Sequence, residues 1–135
     1  MRRAELGASV FHWDRPPDHQ LPEARDNQVA AMMRDHVTAA FSSNDYGAIE
    51  LMESADRLGV RVPKDLSVIG FDDVVLAGLA RINLTTIRQP KPELASVAME
   101  LLEARIGGTL DGAPEQRTLG VELVVRGSTG PPASS

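Results

Sequence analysis

Three short apolar runs, each closing on polar residues and each followed by helix- or turn-forming sequence, constrain this chain more than any other feature. Val37-Thr38-Ala39-Ala40-Phe41 closes on Ser42-Ser43-Asn44-Asp45, Leu66-Ser67-Val68-Ile69-Gly70-Phe71 on Asp72-Asp73, and Leu84-Thr85-Thr86-Ile87 on Arg88-Gln89. Runs this short, bounded by turn residues and rich in branched side chains, read as buried strands. After the first, Ile49, Met52, Ala55 and Leu58 fall at helical spacing and predict a helix from about Tyr46 to Leu58. Asn44 or Asp45 would cap it by accepting a first-turn amide, and Gly59 would stop it. The second run leads into a short helix or loop over 74–82. After the third, Pro90 and Pro92 mark a boundary, and a helix from about Glu93 to Ile106 carries Leu94, Val97, Ala98, Leu101 and Leu102 on one stripe before Gly107-Gly108. Strands alternating with helices predict an α/β fold, a parallel sheet with helices on both faces. In such sheets ligands gather beyond the carboxyl ends of the strands. Here those ends are Asn44-Asp45, Asp72-Asp73 and Arg88-Gln89.

The flanks are less regular. Ala8 to Trp13 is a short apolar strand candidate broken by Asp14-Arg15-Pro16-Pro17-Asp18. A helix is predicted over Leu21 to Arg34, with Pro22 and Glu23 suited to its first turn. Residues 117–126 alternate as a last strand does, and 127–135 read as a frayed tail.

Several chemistries are disfavoured by what the chain contains. Its 135 residues amount to one domain. A formal net charge of −5 repels phosphate backbones, so direct DNA binding by this chain is not expected. With no cysteine, disulfides, thiolate catalysis and Cys-ligated zinc are excluded. His12, His19 and His36 lack metal-ligand spacing, so no metal is expected. Ser42, Ser43, Ser67 and Ser96 lack a nucleophile-elbow context, and no phosphate- or dinucleotide-binding glycine pattern occurs. Neither enzymatic activity nor a cofactor is expected. No apolar stretch has the length of a signal peptide core or a membrane span, so the expected location is the cytoplasm.

Four stretches, in this order and at these spacings, carry a specific likeness: Phe41 to Asp45, Gly59 to Asp73, Leu84 to Pro90, and Glu122 to Thr129. They resemble the LacI/GalR family of bacterial transcription regulators over roughly residues 37–132, with 1–36 poorly matched. The resemblance implies a periplasmic-binding-protein-like (type I) fold, in which two α/β lobes close around a small effector, most often a sugar. It implies that residues 37–89 are the core of the back lobe, that 90–107 is a helix of front-lobe type, and that 117–126 is the final strand. The chain then reads as a partial, C-terminal effector-binding domain with no helix-turn-helix. The family's effector contacts match Asn44, Asp72 and Gln89. Asp72 can accept from two adjacent sugar hydroxyls, while Asn44 and Gln89 each donate and accept. A hydrogen bond to a charged group is worth roughly 1.5–3 kcal/mol, so loss of Asp72 is expected to lower affinity by about one to two decades. Trp13 is expected to offer a flat face to a sugar ring, since an aromatic stands near that place in several family members. Asp45 and Asp73 are expected to be structural, and Arg88 surface-exposed or salt-bridged.

The resemblance also implies that the usual cover of the 90–107 helix is missing. The stripe Leu94, Val97, Leu101 and Leu102 is therefore expected to pair with a second copy in a homodimer, with elements exchanged between protomers. The leading expectation is a sugar- or small-effector-sensing part of a LacI-type regulator. The alternative is a dimerisation or interaction module that no longer binds effector. A phospho-receiver on a similar sheet would place a lysine where Arg88-Gln89 stands, and an exported sugar-binding protein would need a signal sequence.

Overall fold

The structure, a computed structural model, describes residues 7, 9, 10, 21–110 and 112–131. Its elements, in chain order, are α1 (Leu21–Arg34), β1 (Ala39–Phe41), α2 (Asp45–Arg57), β2 (Ser67–Phe71), a 3-10 turn (Val75–Gly78), β3 (Thr85–Arg88), α3 (Lys91–Ile106) and β4 (Glu122–Val124). The strands form one sheet in the order β1-β2-β3-β4. β1, β2 and β3 are mutually parallel, as the strand–helix alternation predicts. β4 departs from that expectation and runs antiparallel to β3, with Leu123 opposite Ile87 and Glu122 opposite Arg88.

The two central helices explain their own limits. α2 starts where the Asn44 side chain accepts from the Gly47 amide at 2.8 Å. It ends in a left-handed turn at Gly59 (φ 71), whose amide donates to Asp56 O while Val60 N donates to Ala55 O. Those two bonds satisfy carbonyls that the last helical turn would otherwise leave unpaired. α3 starts two residues earlier than predicted, with Pro92 inside its first turn rather than before it. A proline is harmless there because its missing amide would have had no helical partner.

The core is a single cluster. Val29 and Met32 of α1, Ala48, Leu51 and Ala55 of α2, and Leu66, Val68, Ala77 and Leu84 are all buried together. α1 and α2 thus make one helical layer, on the face toward which Val68 and Gly70 point. The second face was expected to carry helices as well. Among the described residues none supplies that cover, because α3 buries no residue at all. Strand register puts Phe41, Ile69, Phe71, Ile87 and Leu123 on this second face, and Phe41 is 63% and Leu123 53% exposed there. β1 is likewise not the buried strand the sequence predicts. Among the described residues it is the outermost strand of the sheet, and two of its three residues are exposed.

Residues 128–130, expected to belong to a frayed tail, are instead tied to the sheet. Ser128 is buried, accepts from Thr85 N at 2.8 Å and donates to Val68 O at 2.6 Å. Val68 N donates to Ser128 O, and Gly130 N to the Ser67 hydroxyl. This segment fills the gap beside β2 just before β3 begins, where β2 would otherwise leave backbone groups unpaired.

Candidate functional site

Asn44, Asp72 and Gln89 each stand at or just past the carboxyl end of a parallel strand, and those strands are neighbours in the sheet. Residues far apart in sequence are in this way set along one rim. Two of them touch: the Gln89 side-chain amide donates to Asp72 Oδ1 at 2.6 Å. The Asp72 amide donates to Ile87 O at 2.9 Å, which pins the turn after β2 against β3. Asn44 is exposed, and the helix amide it caps occupies its carbonyl oxygen while its NH₂ group remains for another acceptor. The rim therefore offers a carboxyl group and two amides, a donor–acceptor set suited to a hydroxylated ligand.

The turn that carries Asp72 is strained and clamped. Asp72 has φ 116 and Asp73 φ 49, both in the region that favours glycine. Such conformations persist only where the surroundings over-determine them. Here Asp73 is the anchor. Its side chain is 11% exposed and pairs with Arg126 from beyond β4 at 2.6 Å and with Arg88 from β3 at 2.6 Å. Burial alone would raise the Asp73 carboxyl, but the guanidiniums of Arg126 and Arg88 outweigh it and hold the group below the usual carboxylate range. The Asp73 hydrogen bond in turn raises Arg88, whose other partner is Glu122 at 3.0 Å. Arg126 also donates to Leu84 O at 2.8 Å. The expectations for Asp73 and Arg88 agree with this geometry. Arg126 was not singled out by sequence reasoning, although it lies inside the Glu122–Thr129 stretch. A lone arginine after a strand carries no local signal of a partner 53 residues away.

Trp13 lies outside the described residues, as do His12 and His19. Of the three rim residues, Gln89 alone borders a groove of about 570 Å³, an open channel between α3 and the returning segment 115–121. Leu94, Val97 and Leu101 line its helical wall. Leu102 points elsewhere on the same helix and is 51% exposed. No group of His, Asp or Glu side chains among the described residues is arranged to hold a metal ion. No helix among them is long and apolar enough to cross a membrane.

An open α/β half-domain with polar side chains at adjacent strand ends defines the class, and comparison with known proteins defines the family. The model of the periplasmic binding protein-like domain matches residues 2–129. The PurR transcriptional repressor of Photobacterium profundum is 40% identical over 130 residues, 93% of this chain and 38% of that protein. A LacI-family regulator from Corynebacterium glutamicum superposes with a TM-score of 0.65 at 38% identity, over 82% of this chain and 43% of that one. A periplasmic binding protein/LacI transcriptional regulator from Alkaliphilus metalliredigens, complexed with D-xylulofuranose, superposes with a TM-score of 0.71 at 28% identity, over 90% of this chain and 44% of that one. The chain belongs to the periplasmic-binding-protein-like family, among its LacI-type members. It spans less than half the length of these relatives.

Proposed function

We propose that this chain senses a small polyhydroxylated effector, a sugar, as part of a LacI-type transcription regulator. The observation that carries this reading is the rim itself: Asn44, Asp72 and Gln89 at adjacent strand ends, with Asp72 and Gln89 already hydrogen-bonded. Asp72 accepts from sugar hydroxyls, and Asn44 and Gln89 supply donors as well as acceptors. The relative complexed with D-xylulofuranose supports a sugar as the ligand class. The chain's own role is non-enzymatic, in the cytoplasm. Effector binding biases a conformational equilibrium that a DNA-reading domain elsewhere converts into operator affinity. With a net charge of −5 this segment does not itself grip DNA.

A thermal-shift series with ribose, xylulose, lactose and sucrose tests the proposal. A ligand that binds only the folded state at about one hundred times its Kd adds about 2.7 kcal/mol of stability. The expected result is a rise in melting temperature with one of these sugars that is absent in Asp72→Ala. No rise with any sugar would sink the reading.

The second reading, an interaction module, is favoured by α3, none of whose residues is buried. In this reading a second copy of the chain covers Leu94, Val97 and Leu101 along the groove and Leu102 beside it, and the rim no longer binds effector.

A further inference from the structure

Asp45 is the one acidic side chain among the described residues that is fully buried, and the effector-binding chemistry proposed above makes no use of it. It follows Asn44 directly and opens α2. Its Oδ2 accepts from the Val74 amide at 2.8 Å, two residues past Asp72. Its Oδ1 accepts from the Thr86 hydroxyl at 2.5 Å, three residues before Gln89. Among the described residues no cationic side chain is paired with it, so hydrogen bonds to the other two rim segments, rather than an ion pair, define its surroundings. The room it occupies exists because residue 70 of β2 is glycine: a Cβ there would collide with the Asp45 carboxyl group and stand 3.2 Å from the Asp45 Cα.

We infer that Asp45 is the positioning residue of the effector site, the buried tie that holds the three strand ends in mutual register. The inference rests on the sugar-sensing reading and adds to it. Asn44, Asp72 and Gln89 sit on three separate segments, and one carboxyl group is bonded to two of those segments while belonging to the third. The alternative device, the Asp73 clamp, secures only the turn after β2 to β3 and Arg126. It does not reach the start of α2, where the other tie is the Ser42 amide donating to Ile69 O at 2.8 Å, which links that loop to β2 but not to β3. A side chain that cannot touch the ligand thereby sets the spacing of three that can. Positional error of this kind is costly because a polar site built from few groups loses several hydrogen bonds together when one segment shifts.

The test uses Asp45→Asn together with Thr86→Val and Thr86→Ser. Asparagine keeps the shape and can still accept from Val74 N, but its NH₂ group then faces the Thr86 hydroxyl, which must turn from donor to acceptor, so the short bond to a carboxyl oxygen is replaced by a weaker amide–hydroxyl one. Valine removes the hydroxyl and serine restores it. Two readouts are taken on each variant: the nuclear magnetic resonance position of the Gln89 side-chain amide without ligand, and affinity for the sugar that gives the largest thermal shift with the wild-type chain. Leu66→Val, at the opposite end of β2, serves as a control for simple loss of core stability.

The expected result is that Asp45→Asn and Thr86→Val move the Gln89 amide toward the position of a free glutamine. Both lower sugar affinity by about tenfold, the equivalent of one hydrogen bond. Thr86→Ser restores both, and Leu66→Val changes neither. An unmoved Gln89 amide in both Asp45→Asn and Thr86→Val would overturn the inference, as would an equal affinity loss in Leu66→Val. If Asp45→Asn fails to fold, the Thr86 pair decides alone. If the wild-type chain binds none of the sugars, the sensing proposal fails, and the Gln89 amide still reports whether Asp45 sets the geometry of the strand ends.

Discussion

At the level of single residues, the turn after β2 concentrates strain where the ligand chemistry is proposed to lie. Asp72, with φ 116, adopts a backbone that glycine reaches freely and other residues reach at a cost of order 1–3 kcal/mol. Substituting Asp72 by glycine or by alanine removes the same carboxyl group, but only glycine relieves the backbone. Asp72→Gly is therefore expected to be more stable than Asp72→Ala by about 1–2 kcal/mol, a difference of several degrees in melting temperature. Both are expected to lose sugar binding, and calorimetric melting of the pair checks the first half. An equal melting temperature for the two would mean that the turn carries no strain. Asp73 gives a prediction of the other sign. Its folded-state carboxyl is held below the ordinary value by Arg126 and Arg88, against the effect of burial. The stability it contributes is thus complete above the unfolded value near pH 4 and is lost as pH falls through the lower folded value. Asp65, pushed down to about 2 chiefly by its hydrogen bond from the Arg61 side chain, titrates in the same window. Asp73→Asn is expected to cost roughly 2–3 kcal/mol at neutral pH, since it leaves Arg126 without its charged partner. It should also flatten the acid limb of the stability curve below about pH 4. Urea melts of both proteins between pH 2 and 7 measure this, and parallel curves would rule it out.

At the level of elements, Asn44 has two roles that substitution can separate. It caps α2 through Gly47 N, and it stands on the rim with its NH₂ group unspent. Serine caps a helix about as well as asparagine, whereas alanine does not and costs about 1 kcal/mol. Asn44→Ser is expected to keep wild-type stability and to lose sugar affinity about tenfold, while Asn44→Ala loses both. Isothermal titration alongside thermal melts checks the separation, and full affinity in Asn44→Ser would leave Asn44 a cap alone. The capping role was legible in the sequence because a cap is a local signal: Asn before a periodic run, glycine after it. Strand ends were legible for the same reason, as each apolar run stops at a polar pair. What was not legible depends on long-range pairing. The direction of β4 follows from where the chain returns after α3, and no periodicity encodes that. Ser128 looked like part of a tail because its neighbours Gly127, Thr129 and Gly130 are loop formers, yet it completes hydrogen bonds for β2 and β3. β1 has the composition of a buried strand and is the outermost strand among the described residues, since its burial depends on what stands beside it and not on its own residues.

At the level of the whole molecule, the distribution of apolar surface argues for association. The α1–α2 layer closes one face of the sheet over a continuous core. The other face and α3 leave large apolar side chains in solvent, among them Phe41, Leu123, Leu94 and Leu102 at 63%, 53%, 48% and 51% exposure. Phe41 and Phe71 already pair edge to face on that side, with ring centroids 6.4 Å apart. Contiguous apolar surface beyond a few hundred Å² is uncommon on solitary soluble domains and marks interfaces. A helix of sixteen residues, none of them buried, presents an apolar face suited to a partner. The chain is therefore expected to sediment as a dimer at tens of micromolar. Replacing Leu94 and Leu102 together by aspartate is expected to yield monomers without loss of the α1–α2 core, because neither residue belongs to it. Sedimentation velocity gives the mass, and near-unchanged melting of the core in the double variant separates a lost interface from a lost fold. A monomeric wild-type chain at that concentration would count decisively against the dimer. Effector sensing would then have to be tested at the Asp45-held rim independently of any dimer.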